Sequence, residues 1–377
     1  MKPTFSRRFS SLLMAALVAC QTEAPTELPW EVRACDLPRA DPHVVQLEGG
    51  AFVTLALRSD GTVYCWGSNI EGACGGGEIY FPIETGVVCA SSLQSAGETV
   101  NLTYGDSVTV WGNTMLRDVP KTYRLDAFPR PTPPIKQAAG GLVVALLAED
   151  GSVWLWGELD GREYRRFQRY EGFGFPVKRL AVNGPVCALD EEGSAYCTGF
   201  DPDGATGLTV PGQREIGPPK RVPIAEPIRD FVLGSGAACA LTESGRVLCA
   251  GDNLGILGQT PQMLSERRSF EEVPGLPPVD RLKVDNMGWN ACASNGSEVY
   301  CWGQNVWKQI DPERFGGGEV PRLVEPFDDI IDYAPGPALC VLRADRTIWC
   351  RGDTSSCDPP GLGEWQEVKF EYCNAFE

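Results

Sequence analysis

The chain has 377 residues, 43% of them apolar, enough to bury a large core. Its 33 lysines and arginines stand against 50 aspartates and glutamates, a balance that repels phosphate backbones and anionic membranes, so no nucleic-acid partner is expected. Glycine (43) and proline (30) follow no collagen-like period and suit many short strands joined by tight turns.

The first residues read as a processing signal. Lys2, Arg7 and Arg8 form a positive start, and Phe9 to Val18 form an apolar run shorter than the roughly 20 residues a bilayer span needs. The run ends in LVAC, Leu17 to Cys20, which resembles the lipobox of bacterial lipoproteins. That resemblance implies a signal peptide over residues 1–19 and a lipid on Cys20; the competing reading is an ordinary signal peptide cut near Ala19. Cleavage there removes three basic groups and no acidic ones, leaving a formal charge of −20. Gln21 to Trp30 is polar and bears proline, as a tether does, so residues 20–40 are expected to be lipidated N-terminus and tether, with one domain over 41–377. No later apolar run is long enough to span a membrane.

From Phe52 to Gly67 the chain reads FVTLALRSDGTVYCWG, two strand-forming runs around Asp60-Gly61, the signature of a hairpin. A worn copy follows at Val100–Gly112, with the turn residues exchanged as Gly105-Asp106. Further copies run from Val143 to Gly157, Cys187 to Gly199, Cys239 to Gly251, Cys292 to Gly303 and Cys340 to Gly352. The closing glycines at 67, 112, 157, 199, 251, 303 and 352 mark an array whose units cannot bury their apolar faces alone. Short apolar segments precede the hairpins, as in Val44–Gly50, Pro227–Gly236 and Asp328–Gly336. Each repeat therefore supplies at least three strands, with room for a fourth in the variable connection. The tail Trp365–Tyr372 supplies one more strand, placed to complete a blade against N-terminal material and close a ring.

Fifteen cysteines less Cys20 leave an even number, and a single histidine with no CxxC pair argues against zinc, so an oxidising compartment is the simpler account. Cys187/Cys197 and Cys239/Cys249 sit ten apart with glycine four before the second. If 243–245 form a three-residue loop, Cys239 faces Cys249 and Gly245 takes the left-handed position. Cys340/Cys350 keep the spacing but put Arg346 where glycine stood, and Cys292/Cys301, nine apart around Asn295-Gly296, ask for an even-numbered loop. Four hairpin disulfides are expected; the alternative is buried free thiols. In the third copy the two positions are Ala145 and Leu155, and in the first Leu55 faces Cys65, which needs a more distant partner. The pairing of Cys35, Cys65, Cys74, Cys89, Cys357 and Cys373 stays open.

Trp66, Trp111, Trp156 and Trp302 occupy one repeat position, where a large aromatic belongs to a core rather than to a ligand cage. The pattern CAL-x-x-x-G-x-V-Y-C-W-G-x-N resembles the repeat of the regulator of chromosome condensation family. It is carried by Cys239-Ala240-Leu241, by Val299–Gly303 with Gln304-Asn305, and by Trp66-Gly67-Ser68-Asn69. The family's GQLG-like turn survives at Ile256–Gln259 and Gly72–Gly75. The resemblance implies an all-β, seven-bladed β-propeller over about residues 44–372. Members described as exchange factors act on a nuclear GTPase and bind chromatin; an acidic exported lipoprotein contradicts both settings, and no exchange-site residue carries over.

His43 is the only imidazole, so triad chemistry and metal ligation lack their usual residue, and no cofactor or metal is expected. Asp201-Pro202-Asp203-Gly204 looks like the start of a calcium loop but lacks the later glutamate, and reads as a connecting loop. One loop stands out: Gly161–Pro176, where Arg162, Arg165, Arg166 and Arg169 interleave with Tyr164, Phe167, Tyr170, Phe173 and Phe175. This is the composition of a protein-interface hot spot and a basic patch on an acidic body. The other reading packs the aromatics on the third blade and leaves the arginines to neutralise neighbouring carboxylates.

The favoured expectation is a monomeric, lipid-anchored extracytoplasmic scaffold of the bacterial envelope that binds a protein through propeller loops. It touches the bilayer only through its lipid and is not an enzyme. The alternatives are carbohydrate or cell-wall binding through shallow aromatic grooves, and a polysaccharide-acting enzyme with two carboxyls about 5–9 Å apart in a polar pocket.

Overall fold

The computed structural model describes residues 41–50, 52–67, 79–84, 90–96, 99–104, 107–112, 121–124, 134–140, 143–251, 255–258, 267–316, 318–353 and 363–370. Cys20, the tether, and Cys35, Cys74, Cys89, Cys357 and Cys373 lie outside them.

Among the described residues the strands form seven antiparallel four-stranded sheets, each built from four strands consecutive in the chain. The first blade holds β1 (Val44–Gly49), β2 (Val53–Arg58), β3 (Val63–Gly67) and β4 (Ile79–Glu84). The second holds β5 (Ser92–Ala96), β6 (Thr99–Tyr104), β7 (Ser107–Gly112) and β8 (Lys121–Arg124), and the third β9 (Ile135–Gly140), β10 (Val143–Ala148), β11 (Val153–Leu159) and β12 (Arg162–Tyr170). The fourth holds β13 (Arg179–Val182), β14 (Pro185–Leu189), β15 (Ala195–Gly199) and β16 (Lys220–Arg221), and the fifth β17 (Ile228–Gly234), β18 (Ala237–Thr242), β19 (Val247–Gly251) and β20 (Arg267–Glu272). The sixth holds β21 (Arg281–Val284), β22 (Asn290–Asn295), β23 (Glu298–Gln304) and β24 (Gly318–Leu323); the seventh β25 (Ile330–Ala334), β26 (Ala338–Arg343), β27 (Ile348–Gly352) and β28 (Gln366–Glu367). Among these residues no helix is long and apolar enough to cross a membrane.

The repeated sequence hairpin is the middle pair of each blade. Cys239 faces Cys249, Thr242 N–H donates to Arg246 O, and Gly245 has φ +85°. Cys187–Cys197, Cys239–Cys249, Cys292–Cys301 and Cys340–Cys350 are each bonded, with Cα atoms 4.1 Å apart. Closing loops of nine or ten residues contributes about 3 kcal/mol apiece in the chain-entropy account. Arg346 keeps the ten-residue geometry by itself adopting φ +71°, and Asn295 faces Glu298 across a two-residue turn. Leu55 faces Cys65, which is also disulfide-bonded.

The first strand of each blade lies innermost, and β1, β5, β9, β13, β17 and β21 pack in succession around the axis. One hydrogen-bonding edge of each inner strand has no strand partner, and side chains of the neighbouring blades fill it. Gln46 donates through Nε2 to Leu93 O (2.7 Å) and accepts from Leu93 N–H (3.3 Å). Gln137 does the same for Leu180, at 2.7 and 3.0 Å. At the joint that closes the ring an ion pair replaces the amide. Asp332 of β25 accepts from Leu47 N–H (2.7 Å), Lys283 of β21 donates to Leu47 O (2.7 Å), and the two charges lie 2.9 Å apart. Arg281 reaches Asp332 from the sixth blade, and Arg179 reaches Asp230 from the fourth to the fifth. Register shifts just before Gln46, Asp230 and Asp332 are bulges that re-aim these side chains.

The tail differs from expectation. It pairs with β27 (Trp349 opposite Glu367) and completes the last blade, because the first blade already has four strands of its own. Phe370 passes on to the first blade, 5.0 Å from the Tyr64 ring and 6.3 Å from Trp66. Trp66 and Trp302 are buried between blades, Trp302 donating from Nε1 to Ile256 O of the preceding blade at 2.7 Å. Trp156 is half-buried against Phe167, and the Trp111 side chain lies outside the described set.

Asp332→Ala strips the closing joint of one charge and leaves the mostly buried Lys283 with only Glu48, 3.7 Å away. We expect a loss of about 3 kcal/mol, the low end for a broken buried pair. Gln46→Ala, at an equivalent neutral joint, should cost about 1–2 kcal/mol. Urea unfolding of the two variants checks the ranking.

Candidate functional site

The stretch expected as the loop Gly161–Pro176 is instead the outer strand β12 and a following turn. Asp160 (φ +52°) and Gly161 (φ +70°) make a two-residue turn with both central residues left-handed, the geometry that returns a strand on itself. Leu159 then faces Arg162 and Val153 faces Tyr170, with a register shift between Leu155 and Gly157.

That pairing divides the predicted residues into two sets. Tyr164 and Phe167 are buried, 4% and 6% exposed, so they belong to the core rather than to a free surface. Arg162, Arg165, Arg166 and Arg169 are exposed. Arg162 lies over the Tyr164 ring (4.9 Å), Arg165 pairs with Glu163 (3.0 Å) and Arg169 with Glu171 (3.2 Å). Arg166 has no ion pair or ring contact among the described residues. Tyr170 is half-buried, edge-on to Phe173 at 5.2 Å, and burial raises its hydroxyl above the usual range.

Beside this strand a cavity of about 250 Å³ opens between Asp150–Val153, Arg169–Glu171 and Phe173–Val177. Its two carboxylates are already engaged. Asp150 accepts from Ser152 N–H (2.9 Å), and its bonds to Ser152 hold it below the usual carboxylate range; Glu171 holds Arg169. Asp201, at the start of the sequence that looked like a calcium loop, accepts from the Thr206 and Thr209 hydroxyls and is 1% exposed. It organises a turn.

A second surface was not visible in the sequence. In a four-stranded blade the turns between strands one and two and between three and four lie on the same face. On that face the turn between β21 and β22 reaches over to the fourth and fifth blades. Asn286 O accepts from Asn183 Nδ2 of the fourth blade (3.0 Å) and from Ser235 N–H of the fifth (2.9 Å). At its end Trp289 meets Phe52 of the first blade edge-on at 6.0 Å and stacks on Trp307 at 6.4 Å and 23°. All three rings are half-buried. Asp285 pins the turn, accepting from Trp289 N–H (2.8 Å), Asn290 N–H (3.1 Å) and Asn290 Nδ2 (3.0 Å).

Burial pushes the Asp285 carboxyl up from the ordinary 3.8 to about 6, outweighing those donors. The folded state therefore keeps a proton that the unfolded chain releases near 3.8, and this group makes folding less favourable as pH rises between 3.8 and about 6. Asp285→Asn should flatten that part of the stability profile. Urea unfolding from pH 4 to 7 for both proteins measures the slope.

The regulator of chromosome condensation (RCC1) repeat matches residues 44–73 and 228–254, which hold β1–β3 and β17–β19. No curated protein sequence matches the chain. Human WBSCR16 superposes with a TM-score of 0.64 at 17% identity, over 78% of this chain and 85% of its own. Yeast RCC1 (Prp20), solved with Kap60 bound, gives 0.62 at 18% identity over 78% of each chain. The ectodomain of the receptor kinase CR4 from Physcomitrella patens gives 0.51 at 16%, over 82% and 73%. Identities this low speak for fold and not for activity. With seven four-stranded blades and two matched repeats, the chain is a seven-bladed β-propeller that carries regulator of chromosome condensation repeats in its first and fifth blades.

Proposed function

We propose that this propeller is a lipid-anchored extracytoplasmic scaffold that docks a protein partner, with the arginine face of β12 as a principal contact. The observation that carries the reading is the placement of Arg162, Arg165, Arg166 and Arg169 along one outermost strand of a body whose formal charge is −17. A local basic strip on an acidic protein selects an acidic patch on its partner and speeds the encounter. The buried Tyr164 and Phe167 hold that strip rigid, which lowers the ordering cost of association. Yeast RCC1, whose fold this chain shares, is a protein solved with Kap60 bound to it. Export is supported by the four hairpin disulfides, and lipid anchoring by the LVAC sequence ending at Cys20.

The test is a cross-linking capture from detergent-solubilised envelope, comparing the unaltered protein with R165E/R166E/R169E. A protein retained by the first and lost by the second supports the reading. Equal capture removes the arginine face from it, and no capture by either removes the protein partner. The triple variant should keep the unfolding midpoint, since its changes are at the surface. Phe167→Ala should lower stability by about 3–5 kcal/mol through the cavity it opens.

A further inference from the structure

Four indole groups among the described residues donate to an acceptor within the fold. Trp154 donates to Ser152 Oγ, Trp302 to Ile256 O, Trp349 to Thr347 Oγ1 and Trp365 to Glu325 O. Trp289 and Trp307 differ: half-buried and stacked on each other, they donate their ring N–H groups to no acceptor among the described residues. Trp66 also lacks an acceptor, but it is buried in the core, where no ligand reaches it.

Their backbone is fixed from below. Trp289 N–H is held by Asp285, and Trp307 N–H by Gln309 Oε1 at 3.0 Å. Arg351 of the seventh blade donates to Gln309 O (3.0 Å) and Ile310 O (2.8 Å), clamping the turn that carries Trp307. Phe52 (φ +82°) and Lys308 (φ +56°) occupy left-handed backbone that costs a bulky residue about 1–3 kcal/mol. Two of the five left-handed non-glycine residues among the described residues thus lie at this cluster, the others being Asp41, Asp160 and Arg346.

We propose that Phe52, Trp289 and Trp307 form a saccharide-binding platform on the face that carries the β21–β22 turn. An indole face takes the apolar C–H face of a sugar ring, and a free indole N–H donates to a hydroxyl at that ring's rim. The −17 body repels anionic glycans, so the ligand is a neutral one. The site lies on the first and sixth blades, away from β12 on the third, and does not depend on the protein-docking reading.

The experiment is a titration of the full chain in detergent with maltohexaose, cellohexaose and chitohexaose, followed by tryptophan fluorescence and calorimetry. At least one sugar should give saturable binding. Trp289→Ala and Trp307→Ala should each weaken it tenfold or more with an unchanged unfolding midpoint. Trp307→Phe, which keeps a ring and loses the N–H, should weaken it less, by about threefold to tenfold. Absence of binding by all three sugars at millimolar concentration overturns the proposal. So does binding that survives both alanine changes, or a platform that takes proline-rich peptide and no sugar.

Discussion

Every blade begins with a strand that has a sheet partner on one side only. Left in that state, seven rows of N–H and C=O groups would face one another around a narrow axis without acceptors or donors. The molecule resolves this with side chains of the adjoining blades: an amide at Gln46 and Gln137, an ion pair at Asp332 with Lys283. In each case one leucine, Leu93, Leu180 or Leu47, has both of its backbone groups satisfied from next door. The blades are therefore joined by apolar packing and also by bonds that specify angle and height. The loops on each face inherit their positions from those joints.

The middle of each blade could be read almost completely from the amino acids. A ten-residue cysteine spacing with glycine in the turn admits one register, and that register is present at Cys239 and Cys249. The inner-edge joints escaped notice because one structural position holds Gln46, Gln137, Arg179, Asp230, Arg281 and Asp332. Amide, cation and carboxylate do the same geometric task there, so no repeated letter marks it. The arginine-rich stretch was misread for a different reason. Its buried residues, Tyr164 and Phe167, are three apart, since a bulge breaks the two-residue period of a strand. Asp160-Gly161 nonetheless carried the turn signal, as Asp60-Gly61 did in the first repeat.

The aromatic platform lies beyond any local reading. Phe52, Trp289 and Trp307 come together only because the fold brings the first blade near the sixth at the axis. Whether an indole N–H is spent or free depends on carbonyls supplied by other repeats. Trp302 and Trp307 are five residues apart, yet one seals a core and the other is half-buried against Trp289. The chemistry of a residue type says little here until its hydrogen-bond partners are counted.

Among the described residues the seventh blade shares no strand with the first, and this has a mechanical consequence. A propeller laced by a shared strand must break a ladder before its circle opens. This one behaves like a split washer, whose gap is bridged by Asp332, Lys283 and the Phe370 ring. Spreading the gap would leave every sheet intact but would part the apolar layer in which Leu47 and Trp66 pack on Ala334 and Leu342. Among the described residues this seam differs from the other six joints in lacking a chain connection between its two blades.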